Sequence, residues 1–112
     1  ELRINAEDPA RDFAPSPGLL KTFDIPGGLG VRIDTHCRTG YTIPPHYDSM
    51  IAKLIVHQSD REQAIQTALR ALGEFHVDPV KTTIALHQRL LLNGSVRSSD
   101  VDIHFVERLL AS

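Results

Sequence analysis

GYTIPPHYDSMIAKLIV, residues 40–56, decides how the chain is read. It holds a glycine turn, the pair Pro44-Pro45, a polar knot at His46, Tyr47, Asp48 and Ser49, and an apolar run from Met50 to Val56 broken only by Lys53. Adjacent prolines fix φ twice and remove two backbone donors, so they form a rigid extended arm outside any ladder. Ile51, Leu54, Ile55 and Val56 follow, a short run rich in β-branched residues that predicts a buried strand. An arm feeding a buried strand pins Tyr47, Asp48 and Ser49 at the edge of the core, where a polar site is held in place.

Outward from this stretch, the N-terminal half alternates with period two. Leu2 and Ile4 face the core while Arg3, Asn5 and Glu7 share a polar face. Asp8–Gly18 is turn-rich, with three prolines. Leu19–Ile25 predicts a second strand, closed by Pro26-Gly27-Gly28, and Val31–Cys37 a third with Arg32, Asp34 and His36 on its wet face. The chain opens on an alternating pattern already under way, so it is expected to be a domain cut from a longer parent.

Downstream of Val56 the period changes to that of a helix. Ser59-Asp60-Arg61-Glu62 has the spacing of a capping box, followed by Ala64, Ile65, Ala68, Leu69, Leu72 and Phe75 on one face. Asp78-Pro79 is expected to open a second helix carrying Val80, Ile84, His87 and Leu91, ended by Asn93-Gly94. Ser95–Asp100 reads as a loop, and Ile103, Val106, Leu109 and Leu110 predict a short terminal helix. The fold class is therefore α+β: antiparallel strands in the first half, two to three helices packed on them in the second.

The chain has 112 residues, enough for one domain spanning 1–112. A formal net charge of −2 and the absence of a basic run argue against a nucleic-acid partner. No apolar stretch approaches the length of a membrane span. A single cysteine, Cys37, forms no internal disulfide, which points to a reducing, cytoplasmic setting.

The six histidines lie at 36, 46, 57, 76, 87 and 104, without the close pairing of zinc ligands, so no metal site is expected. Nothing marks Cys37 as an activated nucleophile. Pro26-Gly27-Gly28-Leu29-Gly30 lacks the Gly-Lys-Ser/Thr ending of a phosphate loop and precedes a strand, so it reads as a hairpin. Arg3 is the strongest candidate. A strand-held guanidinium is a fixed fork of donors suited to an enolate-like oxygen or a carboxylate, and its bland alternative is a surface ion pair with Glu7 or Asp48.

Arg3-Ile4-Asn5-Ala6-Glu7-Asp8-Pro9, then Pro15-Ser16-Pro17-Gly18, Pro26-Gly27-Gly28, Val31-Arg32, Gly40-Tyr41-Thr42-Ile43-Pro44-Pro45 and Tyr47-Asp48-Ser49-Met50-Ile51-Ala52-Lys53-Leu54 occur in that order. Together they strongly resemble the C-terminal domain of biotin carboxylase, the ATP-grasp component of acetyl-CoA and other acyl-CoA carboxylases and of pyruvate carboxylase. The resemblance covers essentially the whole chain and implies that domain's fold, a rudimentary hybrid motif. It also implies carboxylation of N1 of biotin on a carrier protein, with MgATP and bicarbonate as co-substrates and carboxyphosphate as intermediate.

By the same resemblance, Arg3 contacts the biotin ureido oxygen and stabilises the enolate, and Asp48 orients Arg3 from the adjoining segment. Leu29 and Arg32 fall near a dimer interface, with Leu29 where many members carry an aromatic. The implied partners are the ATP-grasp remainder of the same chain, a biotin carboxyl carrier protein or domain, and a second copy of the parent. The nucleotide, Mg²⁺ and base residues of the family lie upstream of these motifs, so the fragment alone is expected to bind no cofactor and to be inert toward ATP. A purely structural, dimerising module is the alternative; a free-standing biotin-binding module is weaker, because a site needs convergent groups.

Overall fold

The computed structural model describes residues 1–45, 48–97 and 104–111; His46 and Tyr47 of the polar knot, and Ile103, lie outside them. In chain order come β1 (Leu2–Asn5), β2 (Glu7–Asp8), a 3-10 turn at Pro9–Arg11, β3 (Ala14–Pro15), β4 (Gly18–Leu19), β5 (Thr22–Asp24), β6 (Val31–Thr35), β7 (Thr42–Ile43) and β8 (Met50–Val56). Then follow α1 (Arg61–Glu74), β9 (His76–Asp78), α2 (Ile84–Leu92), α3 (Gly94–Arg97) and α4 (Phe105–Ala111). The α+β class holds: strands first, then helices packed on them.

β8, the predicted buried strand, is the centre of a three-stranded antiparallel sheet ordered β1-β8-β6. Leu2 pairs with Leu54 and Ile4 with Ala52 on one side; Ile33 pairs with Leu54 and Val31 with Val56 on the other. This register sets Leu2, Ile4, Ala52, Leu54, Val56, Val31 and Ile33 on one face, and a slip of one residue would turn all of them out to water. Ile4 and Leu54 are wholly buried, and Leu72 on α1 packs into the same core. Phe23 on β5 meets Phe75 at the end of α1 edge-on, with ring centroids 5.8 Å apart.

The helical half departs from the expectation in three places. The cap of α1 is Asp60, one residue beyond Ser59: its backbone is extended and its carboxylate accepts from Gln63 N at 2.8 Å. Ser59 Oγ instead donates to Gln63 Oε1, and Glu62 pairs with Arg97. An ionised carboxylate is the better acceptor at the positive end of a helix, which explains the shift. Asp60→Ala is therefore expected to cost about 1 kcal/mol in a urea unfolding midpoint analysis, the usual worth of an N-cap, while Ser59→Ala stays within about 0.5 kcal/mol. Equal losses from the two would contradict the assigned cap.

Asp78-Pro79 does not open a helix. His76–Asp78 forms β9 and pairs antiparallel with Thr22–Asp24, and α2 starts only after Thr83. The long-range ladder overrides a local sequence that has a capping residue before a proline. The second predicted strand is likewise broken, since Leu20 and Lys21 separate β4 from β5. Of the stretch Ser95–Asp100 read as a loop, residues 98–100 lie outside the described residues, and residues 95–97 belong to the short helix α3, whose Val96 and Arg97 carbonyls accept from Arg61.

Candidate functional site

β1 is an edge strand, and its polar face carries the candidate residues. Arg3 projects away from the core: its side chain is 68% exposed, and its Nε lies 3.7 Å from Glu1 Oε2. That separation is an ion contact, too long for a hydrogen bond. None of the guanidinium's N–H donors is hydrogen-bonded among the described residues. Across the sheet Arg3 stands opposite Lys53, which in turn stands opposite Asp34. Two cations therefore sit side by side on this outer face, a juxtaposition that favours an anionic or developing-oxyanion visitor.

Glu7 does not pair with Arg3. Its two carboxylate oxygens accept from Asn5 Nδ2 at 3.0 Å and Ser49 Oγ at 2.8 Å. The register shift between Ile4 and Asn5 produces this grouping, and Ala6 N donates to Ser49 O beside it. A bulge re-aims the side chain that follows it, here bringing the Asn5 amide to Glu7. The result is a polar cluster that ties the end of β1 to the segment entering β8, with Asn5 Oδ1 buried and without a hydrogen-bond partner among the described residues.

Asp48 also has another partner. Its Oδ1 accepts from Met50 N at 3.0 Å, the two-residue reach of an Asx turn, and it makes no ion pair or hydrogen bond with Arg3 among the described residues. The structure thus separates the two residues that the resemblance couples, giving Asp48 the task of starting β8.

Leu29 and Arg32 sit on and just after the Gly28–Gly30 turn. Leu29 is 92% exposed. Arg32 forms a two-pronged pair with Asp34 on the exposed side of β6, Nε to Oδ1 at 2.9 Å and Nη2 to Oδ2 at 2.8 Å. The Arg32 hydrogen bonds hold the Asp34 carboxyl below the usual carboxylate range, with Lys53 adding a smaller pull in the same direction.

Cys37 is buried, and burial pushes its thiol up despite a hydrogen bond with Thr35. Among the described residues, no three His, Cys, Asp or Glu side chains gather closely enough to hold a metal ion, and no helix is long and apolar enough to cross a membrane. Two residues that spacing does not mark as site residues reach β1 from α2. Thr83 Oγ1 accepts from Asn5 N at 3.0 Å, and His87 Nε2 lies 2.7 Å from the Arg3 carbonyl. His87 falls on the apolar stripe of α2 by sequence; no local signal separates a helix-face histidine from one bonded to a strand some eighty residues away.

The family model for the biotin carboxylase C-terminal domain matches residues 1–108. The chain belongs to this family. It is 50% identical over 110 residues to biotin carboxylase of Haemophilus influenzae, covering 98% of this chain and 24% of that protein. It is 49% identical over 107 residues to a pyruvate carboxylase subunit of Methanothermobacter thermautotrophicus, covering 96% and 22%. Its fold superposes with a TM-score of 0.92 and 40% identity on the biotin carboxylase domain dimer of Hydrogenobacter thermophilus 2-oxoglutarate carboxylase, which was solved with MgADP, ADP and bicarbonate; the match covers 95% of this chain and 23% of that one. A biotin carboxylase C-terminal domain thus spans about a quarter of the length of these relatives. Residues 3–5 of the RINAEDP motif lie on β1 and residues 50–54 of the YDSMIAKL motif on β8, adjacent strands of one sheet.

Proposed function

We propose that this domain supplies one wall of the biotin subsite of a biotin carboxylase, with Arg3 donating to the ureido oxygen of biotin as N1 loses its proton. The observation that carries the reading is the Arg3 guanidinium, rooted in a paired strand and exposed, with every N–H donor free of hydrogen bonds among the described residues. When N1 is deprotonated, charge develops on the ureido oxygen, and a donor fork already in place stabilises it without reorganising. Lys53, opposite Arg3, adds positive potential at the same spot. Biotin arrives as a substrate on a carrier protein or domain. MgATP and bicarbonate are handled by the ATP-grasp remainder of the longer protein, and the domain alone turns over no ATP. Asp48 acts on this site only indirectly, through the chain that it fixes ahead of β8. The parent works in the cytoplasm. The test is Arg3→Ser in a full-length carboxylase carrying this domain, with ATP cleavage followed in bicarbonate with and without biotin. Loss confined to the biotin-stimulated part supports the assignment.

A second reading is that the domain also pairs two copies of the parent, through Leu29 and Arg32. A leucine 92% exposed at the tip of a glycine turn favours it, since a large apolar side chain so presented gains most by meeting a partner. Arg32→Glu puts a second carboxylate on the face occupied by Asp34, and it is expected to weaken self-association of the full-length enzyme about tenfold in sedimentation velocity, the rough worth of one interfacial charge reversal. An unchanged profile would remove Arg32 from the interface. ATP cleavage per active dimer should not change.

A further inference from the structure

In an edge strand, alternate residues point their N–H and C=O groups away from the ladder and need partners elsewhere. In β1 these are Arg3 and Asn5, and the start of α2 meets them. Thr83 N donates to Asn5 O at 3.1 Å, while Asn5 N donates to Thr83 Oγ1 at 3.0 Å. The Thr83 hydroxyl donates onward to Arg3 O at 3.4 Å, and His87 Nε2 meets the same carbonyl at 2.7 Å. A carbonyl only accepts, so Nε2 carries the ring proton in this contact.

Thr83 occupies the N-cap of α2, yet its side chain makes no cap hydrogen bond to that helix. A cap is ordinarily worth about 1 kcal/mol, and here the hydroxyl is turned to the strand instead. Thr83 is 5% exposed, the sole polar side chain in the buried core of the described residues. On its other side β1 is held by the pairing of Leu2 and Ile4 with β8. The Arg3 peptide is thus gripped from both edges, whereas its guanidinium has, among the described residues, only the exposed Glu1 carboxylate as a charged partner, 3.7 Å from Nε.

We propose that Thr83 and His87 are positioning residues for Arg3: α2 fixes the Arg3 carbonyl so that the guanidinium extends from an immobile root toward the substrate. This rests on the assignment of Arg3 to the biotin oxygen. A 1 Å displacement of a catalytic group costs roughly 100-fold in rate, and partial loosening of its root costs less, about tenfold.

The experiment uses the full-length carboxylase with Thr83→Val, Thr83→Ser, His87→Leu and His87→Gln, and Arg3→Ser as reference. Valine keeps the shape and the backbone donor but removes the hydroxyl; serine restores it; the glutamine amide can still donate. Thr83→Val and His87→Leu are expected to lower kcat/KM for biotin-dependent ATP cleavage about tenfold, while bicarbonate-dependent cleavage without biotin stays within about twofold. Thr83→Ser and His87→Gln are expected to recover most of the loss. If Thr83→Val does not fold, the half-buried His87 pair carries the comparison. Arg3→Ser losing biotin stimulation while both Thr83→Val and His87→Leu keep it overturns the positioning role and leaves the Arg3 assignment standing. Equal loss of both activities in Thr83→Val and His87→Leu, or no recovery with serine and glutamine, reduces the contacts to general stability and overturns it too. Arg3→Ser without effect overturns the assignment itself.

Discussion

Serine in place of Arg3, in a full-length carboxylase carrying this domain, is expected to lower biotin-stimulated ATP cleavage by about 100-fold or more, the usual consequence of deleting one preorganised oxyanion donor. Cleavage in bicarbonate without biotin should persist, because Arg3 belongs to the biotin side of the reaction. The side chain is mostly exposed and its ion contact with Glu1 is exposed at both ends, so the substitution should leave stability within about 0.5 kcal/mol. A large kinetic effect with a small stability effect distinguishes a catalytic guanidinium from a structural one. Loss of both activities, or of neither, would return Arg3 to the role of a surface cation. Arg3→Lys sharpens the test: it keeps the charge but loses the planar fork, and should recover only part of the rate.

The features behind this expectation were unevenly legible in the sequence. β1, β6 and β8 declare themselves because each half-buried strand alternates or concentrates β-branched residues, a local pattern set by the sheet they form. α1 declares itself for the same reason with period 3.6, even though its cap falls on Asp60 and not on Ser59. β9 does not: Asp78-Pro79 imitates a helix start, and only the ladder with Thr22–Asp24, more than fifty residues away, explains why His76–Asp78 is extended. Arg3 is legible as a strand-held cation. Its partners are not, since an arginine before Asn5 and Glu7 looks ready to pair with Glu7, whereas the bulge hands Glu7 to Asn5 and Ser49. Asp48 shows the same limit. Charge complementarity nominates it for Arg3, but the backbone N–H of Met50, two residues on, is the nearer donor.

Gly30→Ala is the second large effect expected, about 2–4 kcal/mol of lost stability. Gly30 sits at φ +77°, where any Cβ is unfavourable by about 1–2 kcal/mol. The added methyl would also lie 2.5 Å from Gln58 Nε2 and 2.6 Å from His57 O. The glutamine amide can swing away, though this breaks its bonds to Leu29 O and to Thr67 Oγ1 on α1. The His57 carbonyl has less freedom, because His57 N donates to Gly30 O at 2.9 Å and ties the two segments together. Relief therefore requires the turn to move off the end of β8, carrying Leu29 with it. Gly27→Ala is the control: a methyl there meets nothing within 4 Å and should change stability by no more than about 0.5 kcal/mol. Urea unfolding followed by circular dichroism separates the two, and equal midpoints would mean that the turn is not anchored at His57. In the full-length enzyme, the same substitution links fold to assembly. If Leu29 is an interface residue, Gly30→Ala should raise the monomer fraction even at temperatures where the domain stays folded, whereas Gly27→Ala should not.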